Sequence, residues 1–337
     1  MQSEDQLRDL KLKSKESPLS RRDFMRVLGV ASAAGPGVIA AGLTGFTLTR
    51  SQRAEAAEAV VGNMGKLPRV DMGKRLGHMK ITPICICSDW NRDLYAPALA
   101  MGINFVHKAG YWRSMPDEFK NIPRESYYTD TTVDSTPDHP DDYDRAYGQV
   151  TSSLEKNGLK YYDIFRAHFG WKTVDAFKNQ TGTYKAFLQL KKEGKVKYFG
   201  VSQHPYVSYP EIIQAEIDSG LIDSMQVWNA YKEDPAVTEI FAKASKAGIG
   251  MTAMKIYANG HDKMRNDPAK MAELKAPDMV GRSLIRSVLS EKRPDGKPIF
   301  QTCVTALGNM NFFEENVGAV APKVAMRDGF DLYSHFA

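Results

Sequence analysis

A chain of 337 residues can hold one large domain or two small ones, and its 42% hydrophobic and 25% charged residues are ordinary for a globular protein. The formal net charge is +5, but the first 56 residues contain nine basic and six acidic side chains, which leaves 36 basic against 34 acidic beyond them. This near balance excludes the basic surface of a nucleic-acid-binding protein. The three cysteines are too few for a disulfide framework.

Residues 1–56 have the layout of an export signal peptide. The pair Arg21 and Arg22 precedes an uncharged stretch at residues 27–49 that is rich in alanine and glycine, and residues 54–56 (AEA) offer a cleavage site. Phe24, the second residue after the paired arginines, makes the segment similar to a twin-arginine signal. We therefore expect a periplasmic or otherwise exported protein that contacts the twin-arginine translocation machinery during export.

The same leader has a second interpretation. An uncharged stretch of 23 residues is long enough to span a bilayer, so an uncleaved leader would anchor the protein to the membrane. In either case we expect residues 57–71 to form a linker and residues 72–337 to form a single domain.

From residue 81 onward, short apolar runs alternate with amphipathic stretches that end in glycine. The apolar runs predict strands at residues 81–87, 104–108, 127–133, 162–168, 198–202, 224–228, 250–256 and 300–305. The helices between them are predicted to end in left-handed caps at Gly102, Gly158, Gly194, Gly220 and Gly248. Eight such units indicate an α/β fold, the closed (β/α)8 or TIM barrel. The alternative, an open doubly wound sheet, lacks a G-x-G-x-x-G motif after the first strand.

Four segments resemble landmarks of the aldo/keto reductases in the same order. They are residues 102–105 (GINF), 153–164 (SLEKNGLKYYDI), 192–202 (KEGKVKYFGVS) and 307–316, which contains LG and EEN. The resemblance implies a nicotinamide cofactor, NADP or NAD, bound at the mouth where the barrel strands end. It also implies an oxidoreductase that acts on a small carbonyl or alcohol substrate with a tetrad of Asp, Tyr, Lys and His.

Most of this tetrad is replaced. The resemblance places His168 at the histidine position, His107 at the aspartate position, Asp130 at the lysine position, and Trp112 at the tyrosine position with Tyr111 beside it. Lys108 and Lys255 are candidate sources of the missing positive charge, although neither stands at the family's position. Because a tyrosine needs a nearby cation to exchange protons at neutral pH, the replacements put the family's mechanism in question.

The cofactor-binding positions are better kept. The resemblance assigns this role to Ser202, Gln203, Gln226, Met254, Lys255, Gly308 and Asn316, with Gln203 replacing an asparagine and Met254 an aromatic residue. The basic residues that hold the 2′-phosphate of NADP are replaced by Asn309, Met310 and Asn311. This change implies weak discrimination between NADP and NAD, or loss of the site.

Two other functions remain open at this stage. His107, Asp130 and His168 are expected to converge at the barrel mouth, and two histidines with a carboxylate can bind iron or another transition metal. Cys87 and Cys303 end neighbouring strands, so their thiols could face the same site. The other alternative is a non-catalytic barrel that binds a small molecule or a partner. If the protein is an exported oxidoreductase, it needs a retained cofactor and a redox partner, because free NADPH is not expected outside the cytoplasm.

Overall fold

The computed structural model shows one closed barrel of eight parallel strands. The strands follow one another around the barrel in chain order, and the last strand pairs with the first. The predicted (β/α)8 barrel is therefore confirmed, and the open doubly wound sheet is wrong. The structure describes residues 58, 62, 64–87, 90–107, 114–134, 142–168, 170–205, 209–229, 235–257, 280–305, 307 and 310–322. The predicted leader lies outside these residues.

A short antiparallel hairpin precedes the barrel strands, and every barrel strand lies within three residues of its predicted bounds. The hairpin consists of β1 (Val70–Asp71) and β2 (Lys80–Ile81). The barrel consists of β3 (Ile84–Cys87), β4 (Phe105–His107), β5 (Tyr128–Asp134), β6 (Tyr162–His168), β7 (Val196–Gln203), β8 (Ser224–Trp228), β9 (Gly250–Met254) and β10 (Thr302–Thr305).

Helices cover the outside of the barrel. They are α1 (Tyr95–Ala100), α2 (Asp117–Lys120), α3 (Tyr143–Asn157), α4 (Val174–Lys178), α5 (Gly182–Lys192), α6 (Tyr209–Ser219), α7 (Pro235–Lys246), α8 (Val280–Ser290) and α9 (Met310–Gly318). Short 3-10 helices lie at Lys74–Leu76, Arg92–Leu94 and Arg124–Ser126. Within the described part of the chain, no helix is long and apolar enough to cross a bilayer.

Helix α3 illustrates how the sequence sets the helix ends. The side chain of Asp142 accepts a hydrogen bond from the backbone N–H of Arg145, which satisfies a free donor of the first turn. The helix ends at Gly158, where φ is 64° and a side chain would be strained. All five predicted helix-ending glycines have φ between 64° and 84°, so these caps are confirmed.

The hairpin closes the end of the barrel where the strands begin. Met72 and Leu76 pack with Phe105 and Ile164 in a buried apolar cluster. Gly250, the first residue of β9, permits this contact, since a Cβ there would lie 3.0 Å from the backbone oxygen of Met72. Strand β1 of this hairpin lies within residues 57–71, the predicted linker. With this end filled, the opposite end is the open mouth, where active sites of this fold lie.

Candidate active site

The interior below the mouth contains a chain of buried polar side chains. Nδ1 of His107 lies 2.8 Å from Oδ2 of Asp130, and Nε of Arg166 lies 2.7 Å from the same oxygen. On its other side, Nε2 of His107 lies 3.1 Å from Nε2 of Gln226. Arg166, Asp130, His107 and Gln226 are here called the buried polar network. They come from four strands, β6, β5, β4 and β8, and they are at most 3% exposed.

Arg166 is the member of this network that was not among the predicted site residues. The cation that the structure places beside Asp130 is the guanidinium of Arg166. Nη1 of Arg166 donates to the backbone oxygen of Val201 at 3.1 Å, and Nη2 donates to Oγ of Ser224 at 3.3 Å. One signal in the sequence could have indicated its role. Arg166 lies in the middle of a fully buried strand, and a buried charge requires a buried partner.

The predicted metal site is not supported. Among the described residues, no group of three or more His, Cys, Asp or Glu side chains is arranged to hold a metal ion. His107 and Asp130 are committed to each other and to the other members of the network, and the charge of Arg166 opposes a second cation beside Asp130. His168 instead lies against the His204 ring, with centroids 6.4 Å apart.

Three of the predicted cofactor residues meet at the Gln226 end of the network. Sδ of Met254 lies 3.7 Å from Oγ of Ser202 and 3.4 Å from Nε2 of Gln226. All three side chains are buried, and they lie on the neighbouring strands β7, β8 and β9. Oε1 of Gln226 is buried and has no hydrogen-bond partner among the described residues. The arrangement leaves one acceptor available to a bound group.

The amide of Gln203, another predicted cofactor residue, is hydrogen-bonded to the backbone of Trp171. Its Oε1 accepts from the backbone N–H of Trp171 at 3.2 Å, and its Nε2 donates to the backbone oxygen of the same residue at 2.9 Å. Gly170, with φ of 64°, permits this approach, because a Cβ there would collide with the Gln203 amide. Gln203 therefore holds the segment that follows β6.

Aromatic rings line the rim of the mouth. The His204 ring packs edge-on against His168 and also against Trp228, at 6.2 Å between the latter centroids. Nζ of Lys255 lies 6.0 Å from the centre of the Trp228 ring. Lys255 is exposed and has φ of 60°, a left-handed conformation that is uncommon for a side-chain-bearing residue. Among the predicted catalytic residues that the structure describes, His168 is the most exposed, at 8%.

Of the predicted site residues not yet discussed, the structure describes Asn316. Asn316 is buried in α9, and burial raises the pKa of the nearby Tyr257 hydroxyl well above its usual range. The predictions for Lys108, Tyr111, Trp112 and Gly308 lie outside the described residues.

The three cysteines are buried and form no disulfide with one another. Burial raises the pKa of Cys303 to about 12 and that of Cys85 well above its usual range, so neither thiol ionises at neutral pH. Cys303 packs in the apolar core, where its thiol faces the backbone oxygen of Pro83 at 3.6 Å. The idea that its thiol faces the mouth is therefore wrong.

Comparison with known proteins identifies related chains. A sequence model of the Aldo/keto reductase family matches residues 92–325. Methylglyoxal reductase DkgA of Escherichia coli K12 is 22% identical over 185 residues, which cover 52% of this chain. The matched region spans 66% of that relative's length.

Solved structures support the same fold. An aldo-keto reductase from Bacillus halodurans in its holo form aligns with a TM-score of 0.58 and 19% identity, over 80% of this chain and 94% of that one. An aldo-keto reductase from Brucella melitensis aligns with a TM-score of 0.53 and 17% identity, over 80% and 98% of the two chains. At these identities the likeness concerns the fold alone.

Proposed function

The chain belongs to the aldo/keto reductase family, and from this premise we propose that it is a nicotinamide-dependent oxidoreductase of small carbonyl or alcohol substrates. A bound nicotinamide supplies or accepts a hydride. The observation that carries the proposal is Oε1 of Gln226, a buried acceptor at the base of the mouth with no partner among the described residues. A buried acceptor of this kind is costly unless a bound group donates to it, and the amide of nicotinamide is such a donor.

The surrounding residues fit the same group. Ser202 contributes a hydroxyl that can both donate and accept, and Met254 contributes a polarisable thioether beside it. A thioether makes favourable contacts with aromatic rings, so Met254 can take the place of the family's stacking aromatic residue. The name of the Escherichia coli relative, a methylglyoxal reductase, supports a small carbonyl compound as the substrate.

The proposed proton-transfer residue is His168. It ends β6 at the mouth, and an imidazole changes its charge near neutral pH. In the reductive direction His168 protonates the substrate oxygen, and in the oxidative direction it takes that proton back. His107 lies deeper, fully buried beneath Gln226, so it acts on the site through Gln226 instead of through the substrate.

Turnover of small aldehydes and ketones with NADPH, followed by the loss of absorbance of the reduced nicotinamide, tests this role. The variant His168→Asn should lower kcat by about 10²–10⁴-fold while cofactor binding persists. The matched control is His78→Asn, since His78 is exposed on the hairpin at the opposite end of the barrel. Unchanged turnover by His168→Asn would contradict the assignment of proton transfer to this residue.

The location proposed for the enzyme is outside the cytoplasm. We propose that the twin-arginine route exports the folded chain with its cofactor in place and that a redox partner, in place of free NADPH, exchanges electrons with it there. Replacing Arg21 and Arg22 by lysine should keep the chain in the cytoplasm, as measured by cell fractionation. Periplasmic recovery of the double lysine variant at the parent level would contradict this route.

A further inference from the structure

We propose that the buried polar network fixes the orientation of the Gln226 amide, so that the mouth selects ligands with an N–H donor over isosteres that carry only acceptors. In this network His107 is a positioning residue and not a catalytic one. The identity of the ligand as a nicotinamide rests on the proposed function, whereas the orientation of Gln226 follows from the contacts of its neighbours.

The first step is the charge state of Asp130. Its Oδ2 lies 2.7 Å from Nε of Arg166, and both side chains are fully buried. The Arg166 guanidinium stays charged and is further held by Val201 and Ser224, so it needs a buried counter-ion. Asp130 is therefore an ionised carboxylate, which can only accept hydrogen bonds.

The second step is the position of the His107 proton. Nδ1 of His107 faces the acceptor Oδ2 of Asp130 at 2.8 Å, so this nitrogen carries the hydrogen. The Asp130 carboxylate already balances the Arg166 guanidinium, so a second proton on Nε2 would add a positive charge that no other described member of the network balances, and the low dielectric of the interior disfavours it. Nε2 is thus an unprotonated acceptor.

The third step is the orientation of Gln226. Its Nε2 lies 3.1 Å from Nε2 of His107 and 3.4 Å from Sδ of Met254. A thioether cannot donate a hydrogen bond, and neither can the bare imidazole nitrogen, so both neighbours require a donor. The amide NH2 therefore faces them and Oε1 faces the remaining side, where no described group donates to it. A ligand that reaches this oxygen gains a hydrogen bond only if it donates.

The orientation is tested first without any ligand. In the full chain labelled with 15N-histidine, the NMR signals of His107 should show a protonated Nδ1 and an unprotonated Nε2. The His107→Phe variant identifies the signals by their loss, and a folded fingerprint of its other histidines controls for misfolding. A protonated Nε2, alone or together with Nδ1, would overturn the proposal, whether or not the protein binds a cofactor.

The selectivity is tested with two dinucleotides that differ at one group. NADPH carries a carboxamide, and its 3-acetylpyridine analogue carries an acetyl group that has no N–H. The full chain should bind NADPH at least about tenfold more tightly, the amount expected for one buried hydrogen bond. In His107→Phe the Gln226 amide is free to turn, so the preference should fall below about threefold, whereas the exposed control His78→Phe should keep it.

The two arms separate this proposal from the proposed function. Equal affinity of the parent protein for the two dinucleotides would overturn the selectivity. Absence of binding to either dinucleotide would overturn the nicotinamide function, and the His107 signals would then decide the orientation of Gln226 alone.

Discussion

Replacing Arg166 by methionine should destabilise the barrel by about 3–5 kcal/mol, because it leaves the Asp130 carboxylate buried without its cation. Methionine keeps the apolar stem of the arginine side chain but supplies none of the donors that reach Asp130, Val201 and Ser224. At about 2–4 °C per kcal/mol for a domain of this size, the thermal midpoint should fall by about 10 °C. Circular dichroism during heating of the purified chain measures the change.

The double variant Arg166→Met, Asp130→Leu separates the lost pairing from lost packing. It removes both charges together, so it should recover most of the stability that the single variant loses. Lys120→Met breaks an exposed pair with Asp117 and should leave the midpoint indistinguishable from that of the parent protein. A single Arg166→Met variant as stable as Lys120→Met, or a double variant no better than the single one, would refute the reasoning.

Three further predictions concern buried groups away from the network. Burial raises the pKa of Glu216 well above its ordinary value of 4.5, so the folded state retains a proton that the unfolded chain releases and stability should decline as pH rises above that value. Glu216→Gln should remove this decline. Thermal midpoints of the parent protein and the variant, measured across the pH range, would contradict this reasoning if they fall in parallel as pH rises. Cys85 and Cys303 should resist a thiol reagent such as Ellman's in the folded protein and react after denaturation; rapid labelling of the native chain would contradict this. Gln203→Ala removes both hydrogen bonds to Trp171, so limited proteolysis should cleave the segment after β6 faster than in the parent protein. An unchanged digest would contradict this.

The fold was predictable because its signals are local. Apolar runs of strand length and glycines at helix ends each reflect a few adjacent residues, and the structure confirms both sets. Gly158 and the other helix-ending glycines adopt the left-handed conformation for a reason that needs no tertiary information. The eight-fold alternation then leaves few architectures for a chain of this length.

The site was predictable only in part, because side-chain partners are set by contacts between distant strands. The resemblance placed His107 and Asp130 at neighbouring strand positions, and the structure brings them into contact. It implied no role for Arg166, whose partner Asp130 lies on another strand and far away in the sequence. Gln203 follows Ser202 directly and points away from it, because successive side chains of a strand alternate between faces.

Titration of the full chain with NADPH and with NADH tests the account's central claim most directly. Quenching of its four tryptophans reports binding, and one of them, Trp228, lies at the end of β8 beside His204 at the mouth. The account predicts saturable quenching at micromolar concentrations or below, with NADPH and NADH binding at similar strength. No saturable change in a protein shown to be free of bound nucleotide would contradict a nicotinamide-dependent oxidoreductase.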